Sequence, residues 1–129
     1  TIAKFLEKID EERLLVGKKY TKKIESICNW MERCYGASGT GLREHIHSIE
    51  SYSKIYAPTT LKHRYIYEDI TTGLVPLEAL ADIAGIKLKY IPMVIDLADA
   101  VLEEDFRSKG RNRNFIEKLG IKVLDDKNK

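Results

Sequence analysis

The sequence has little cysteine, no long apolar run and no surplus of one charge, and each scarcity removes a class of protein. Its two cysteines, Cys28 and Cys34, fall six residues apart in what reads as one helix. That is a span of roughly 9 Å, which ordinary disulfide geometry does not bridge. They are read as buried thiols of a reducing compartment. No apolar stretch approaches the ~20 residues of a membrane span, and no signal-peptide pattern opens the chain. No membrane partner is expected, and the cytoplasm is the expected compartment. Lys and Arg number 22 against 20 Asp and Glu, a net charge of +2. Nucleic-acid surfaces concentrate basic charge, and the one basic stretch, Arg107 to Arg113, contains no aromatic residue for base stacking. No nucleic-acid partner is expected. Strand-length alternation bounded by turns, internal repeats and low-complexity tracts are missing as well.

What remains is helical. A chain of 129 residues can bury one continuous core, and 43% hydrophobic with 33% charged residues is ordinary for a soluble globular protein. Ile2, Phe5, Leu6 and Ile9 recur at three-and-four spacing, with Val16 continuing the stripe. Ile24, Ile27, Cys28, Met31 and Cys34 make a second stripe that ends at Gly36, a C-terminal stop. Leu42, Ile46 and Ile49 define a shorter helix, and Ser51 to Leu61, with Pro58, reads as an irregular crossing segment. His63 to Ile70 predicts a short helix released at Gly73. Pro76 then opens another that Gly85 stops. Pro92 opens the helix expected to be most buried, through Val94, Ile95, Ala98, Val101 and Leu102. A last helix runs from about Asn112 to Leu119 and ends at Gly120. The expectation is an all-α single domain of six to seven short helices over residues 1–121, followed by a charged tail over 122–129 that frays from Asp125.

Three clusters could carry chemistry. Gly36-Ala37-Ser38-Gly39-Thr40-Gly41 is rich in glycine, but its order is G-x-x-G-x-G after a helix. A dinucleotide fingerprint needs G-x-G-x-x-G between strand and helix, and a P-loop needs Lys where Leu42 stands. It is read as a connector. His45 and His47 sit two apart, which on a helix turns the rings roughly 200° from each other. With no Glu-x-x-His or cysteine partner, no metal is expected there. Both are placed on the surface or a helix flank. His63 to Ile70 packs a histidine, an arginine, two phenols and two acids into eight residues, within the least regular part of the chain, Tyr56 to Val75. Its plain reading is a helix with an Arg64–Glu68 pair worth a few tenths of a kcal/mol.

A family resemblance gives that segment a second reading. Asp10-Glu11-Glu12-Arg13-Leu14 and Trp30 through Gly39 are followed by Ala57-Pro58-Thr59-Thr60-Leu61, Arg64-Tyr65, Glu68-Asp69 and Gly73-Leu74-Val75-Pro76. Ala84-Gly85-Ile86 and Leu119-Gly120 close the series. In this order the motifs resemble the alpha-helical domain of the octopine/nopaline (opine) dehydrogenase family, through to about Ile121. The core Arg-Tyr-x-x-Glu-Asp followed by Gly-Leu-Val-Pro carries most of the match. The resemblance implies a fold similar to the C-terminal domain of 6-phosphogluconate dehydrogenase, joined to an N-terminal Rossmann domain. It implies an oxidoreductase of the CH-NH donor class that condenses an amino acid with an α-keto acid and reduces the product with NADH or NADPH. A histidine near the domain junction, upstream of this chain, would handle the proton, so His45, His47 and His63 do not take its place.

Carried over by position, Asp69 matches the carboxylate paired with that histidine, and Arg64 matches the arginine that binds substrate. Arg64 and Asp69 stand roughly 140° apart on an ideal helix. The helix is therefore expected to lie edge-on to the cleft; distortion near Ile70 is the other way to relieve the angle. Tyr67 stands where threonine is common in the family, and Thr71-Thr72 where Pro-Tyr is common, which bears on substrate identity. Lacking a dinucleotide site, the chain is expected to bind neither NAD nor NADP and to be inactive alone, as an excised domain, a remnant or one chain of a split enzyme. A homodimer is compatible with this reading. The alternative is a non-catalytic helical interaction module on the same fold. A relative of ketopantoate reductase is a weaker one, since that group's motifs are missing.

Overall fold

The computed structural model describes residues 1–125. The helices are α1 (Ile2–Gly17), α2 (Ile27–Tyr35), α3 (Leu42–Ser48), α4 (Arg64–Asp69), α5 (Val75–Ile83), α6 (Tyr90–Leu102), α7 (Phe106–Lys109) and α8 (Arg113–Lys118). A 3-10 turn over Glu50–Lys54 opens the crossing segment, and no strand occurs among the described residues. A π-turn at Ile70–Leu74 joins α4 to α5 in one rod. The eight stretches therefore make seven rods, within the range expected. Of the charged tail, 122–125 is non-helical, with the Leu124 N–H donating to the Lys19 carbonyl at 2.8 Å; 126–129 lies outside the described residues.

Helix ends fall where local chemistry dictates. The Ser26 side chain accepts the Asn29 N–H at 3.1 Å, and Asn112 accepts that of Phe115 at 3.3 Å. Gly36, Gly85 and Gly120 end their helices in the left-handed region. Where the capping residue has no usable side chain, α1 supplies the acceptor. Gly41 and Lys89 precede α3 and α6 without a side-chain cap. A Glu7 carboxylate oxygen accepts the Leu42 N–H at 2.8 Å. Glu12 accepts the N–H groups of Lys89, Tyr90 and Ile91 at 2.7, 2.9 and 2.8 Å. Asp10 accepts the first N–H of α2, from Ile27, at 2.9 Å. Three acids on one helix thus satisfy orphan donors of three others, at the positive ends of their dipoles.

The core has two parts. Ile70, Val75, Ile91, Ile95, Leu102 and Phe106 form one, and Met31, Ala37, Leu42 and Ile49 the other. The rod α4–α5 explains a correction to the sequence reading. Gly73 does not release a helix; it lies within the π-turn. Pro76 sits near the start of α5, in line with its role as a first-turn proline, but the chain enters already helical. The core-facing residues run Ile66, Ile70, Val75 and Ala79, with steps of four, five and four. An α-helix keeps a face inward at steps of three and four. The step of five needs one wider turn, and the bond from the Val75 N–H to the Ile70 carbonyl provides it.

Three further expectations are corrected, and one helix was not foreseen. The α6 helix is not buried throughout: Ile91 and Ile95 are, but Leu97 and Val101 are 63% and 52% exposed. Cys34 is exposed, and Cys28 is half-buried against the second core cluster, so neither thiol is fully buried as expected. His45 is not a surface residue but is buried, 3% exposed, while His47 is exposed. The α7 helix runs into the basic stretch from Arg107, and periodicity did not reveal it because one short turn carries a single core residue, Phe106. The Arg107 guanidinium grips the Glu78 carboxylate with Nε and Nη2, at 2.6 and 2.8 Å, and reaches Asp96 with Nη1 at 2.7 Å.

Candidate active site

The first two residues proposed from sequence, Arg64 and Asp69, mark the two ends of α4. The His63 ring starts this helix: its Nδ1 accepts the Tyr65 N–H at 3.3 Å. The His63 and Tyr65 rings meet with centroids 4.5 Å apart, and the Arg64 guanidinium lies over the Tyr65 ring at 5.4 Å. Arg64 is 74% exposed, its Nε 4.0 Å from the Glu68 carboxylate. A pair so loose and solvated barely restrains the guanidinium. Asp69 is exposed and makes no side-chain hydrogen bond or ion pair among the described residues.

The distortion weighed in the sequence is present, yet it begins at Ile70 and leaves Arg64 through Asp69 regular. The angular separation of the two groups is therefore not relieved. The structure does not bring them together; it presents them on different flanks of one exposed turn.

Behind that turn the chain is held firmly. The Thr71 and Thr72 hydroxyls donate to the Tyr67 and Glu68 carbonyls, each at 2.7 Å. Because the Val75 N–H reaches back to Ile70, the Thr71 carbonyl is bypassed within the helix and accepts the Arg111 N–H at 2.9 Å. Gly110 allows this approach. A Cβ there would meet the Thr71 carbonyl oxygen, the Phe106 carbonyl oxygen and Val75 Cγ1, each at 2.9 Å. The Tyr67 ring packs edge-on to Phe106 with centroids 5.3 Å apart, and its hydroxyl lies 3.5 Å from Glu104. The Lys109 ammonium bonds Glu104 and holds its carboxyl below the usual range.

Beside α4 runs an apolar groove of about 240 Å³ walled by Leu61, Ile66, Ile70, Leu97 and Val101. A larger hollow of about 600 Å³ lies between α1 and α3, where Lys4, Arg43 and His47 face Glu7 and Glu44. The mixed charges select no ligand sign, and α4 contributes nothing to its wall. Among the described residues, no three His, Cys, Asp or Glu side chains could hold a metal ion, and no helix is long and apolar enough to cross a membrane.

The glycine loop does not fit a nucleotide phosphate. Its amides are already taken: Ser38 N–H by the Ser48 hydroxyl at 3.0 Å, Thr40 N–H by Glu44 at 2.7 Å and Leu42 N–H by Glu7 at 2.8 Å. Two carboxylates occupy the place of an anion, and the loop joins two helices rather than a strand to a helix.

These features define a helical domain whose exposed polar turn borders an uncovered apolar face. Residues 1–102 match the alpha-helical domain of the NAD/NADP octopine/nopaline dehydrogenases, and the chain belongs to that family. It is 34% identical over 124 residues to an opine dehydrogenase of Arthrobacter sp. (strain 1C), covering 96% of this chain and 34% of the relative. Over 108 residues it is 31% identical to the protein ocs of Agrobacterium tumefaciens (strain Ach5), covering 84% and 30%. Over 106 residues it is 30% identical to a vitopine synthase of Allorhizobium ampelinum, covering 82% and 29%. The chain spans about a third of the length of these relatives.

Proposed function

We propose that this chain is the substrate-side helical domain of an NAD(P)-dependent opine dehydrogenase-type oxidoreductase, which condenses an amino acid with an α-keto acid reductively. The observation that carries the reading is Asp69: an exposed carboxylate without a partner among the described residues, on a braced turn, in a chain of this family. Asp69 orients a proton-handling histidine outside this chain and stabilises its imidazolium, as acids do in catalytic triads. Arg64, free of a firm partner, holds a substrate carboxylate in a planar two-point grip. The dinucleotide belongs to a separate Rossmann domain, since no unit of this chain fits it, and that domain covers the face beside α4. The unit extends past residue 102 to about residue 121, because the link between α7 and α8, through Gly110 and Arg111, supplies the brace behind the π-turn.

The test uses the full-length enzyme, assayed for amine-dependent NAD(P)H oxidation with pyruvate. Asp69→Asn keeps the shape and removes the charge. Turnover is expected to fall by about two to four orders of magnitude with nucleotide affinity intact. Arg64→Lys is expected to raise the Michaelis constant for one carboxylate substrate, since a charge-assisted bond is worth about 1.5–3 kcal/mol. Wild-type rates for Asp69→Asn would return α4 to a solvated helix and favour a non-catalytic interaction module.

A further inference from the structure

We infer that the π-turn at Ile70–Leu74, clamped from behind by Gly110 and Arg111, is the device that aims the Asp69 carboxylate, an inference that rests on the role proposed above for Asp69. Asp69 is the last residue of α4, and the wide turn begins at the next. The α5 helix is fixed in azimuth by buried Val75 and Ala79 and by the Glu78–Arg107 grip. Closing the wide turn into α-helix, with α5 so held, would rotate everything before it by about one residue, roughly 100°. Thr71 would take the inward place of Ile70, and Asp69 would swing by the same angle. The extra residue therefore decides which way Asp69 points.

A wide turn has a cost that regular helix does not, because it bypasses a carbonyl. Here the bypassed Thr71 carbonyl is satisfied by Arg111 from another element, with Gly110 giving up its side chain to allow the approach. Both threonine hydroxyls brace the preceding carbonyls. This investment lies immediately behind the exposed carboxylate, and single π-turns within α-helices are frequent at functional sites. Thr71 and Gly110 are thus positioning residues: they touch no substrate and act through Asp69.

The experiment uses the full-length enzyme carrying Gly110→Ala. The added Cβ would meet the Thr71 carbonyl oxygen at 2.9 Å, so the clamp behind the π-turn must shift, and the hold on the direction of Asp69 is lost. The expected result is a folded enzyme with unchanged nucleotide affinity, a turnover at least ten-fold lower, and a pH–rate limb displaced in the same direction as in Asp69→Asn. Thr71→Val, which keeps the side-chain shape and loses one brace, is expected to move both readouts the same way by less. It carries the test if Gly110→Ala does not fold. A folded variant of either kind with wild-type turnover and pH profile overturns the inference. Asp69→Asn, run alongside, separates the failures: if it is itself unaffected, the role of Asp69 falls first and this inference with it.

Discussion

Both ring nitrogens of His45 face acceptors, Nδ1 the Gly41 carbonyl at 2.9 Å and Nε2 the Glu32 carboxylate at 2.8 Å. A neutral imidazole has one N–H to give, so only an imidazolium meets both acceptors. The hydrogen bond to Glu32, then that to Gly41, raises its pKa above the ordinary value; desolvation opposes them, and the charges of Glu32 and Glu44 help. An unfolded chain titrates this ring near ~6.5. Folding therefore binds a proton between that value and the higher folded one. The stabilisation is complete below about pH 6.5 and is lost as pH rises through the folded pKa. The denaturation midpoint of the chain is expected to fall across that window, and His45→Gln to flatten the dependence while lowering the acid-side midpoint. A wild-type midpoint constant across the window would mean that the ring is neutral. None of this was legible from the sequence, because Glu32 lies thirteen residues away on a different helix. Periodicity reports only neighbours along one helix. The roles proposed for Arg64 and Asp69 come only from the order of motifs around them, since nothing in a local pattern separates a solvated carboxylate from a functional one.

Stripes at three-and-four spacing located most helices, because a half-buried helix imprints its period on the sequence. Glycine marked their ends wherever a left-handed residue was required, as at Gly36 and Gly85. The reading failed where the period changed within one rod. Gly73 and Pro76 imitate a stop and a start, so α4 and α5 were separated. The signal that would have joined them is the step of five between Ile70 and Val75, flanked by steps of four. The cause of the wide turn is open to test at Pro76. Proline offers no N–H and crowds the carbonyl four residues back, so it could be taken as the reason. The buried register and the Arg111 bond argue that it is not. Pro76→Ala is expected to keep the bond between the Val75 N–H and the Ile70 carbonyl, seen by NMR hydrogen-bond coupling. It should cost about 0.4–1 kcal/mol, the unfolded-state entropy that proline withholds. Transfer of the Val75 amide to the Thr71 carbonyl would make proline the cause.

At the scale of the whole molecule, the sequence conveyed an all-helical unit but not which faces it leaves open. The α6 helix was expected to be the most buried because it is the most apolar, yet Met93, Leu97 and Val101 point outward. Apolar composition cannot distinguish a face that meets this core from one that meets another unit. Nor could it reveal the acids of α1 as caps, since each serves a helix distant along the chain. That distance has a kinetic consequence. Asp10 meets its amide 17 positions away, Glu7 at 35, and Glu12 at 77 to 79. The entropy of loop closure grows with the length closed, and contacts that close long loops tend to form late. One helix thus carries three probes of the order in which the molecule assembles. In stopped-flow refolding, Asp10→Asn is expected to slow folding most and Glu12→Gln least. Glu12→Gln should act chiefly by speeding unfolding, as a contact absent from the transition state does. The reverse order would mean that α1 first docks on the start of α6 and only then the helices between them are built.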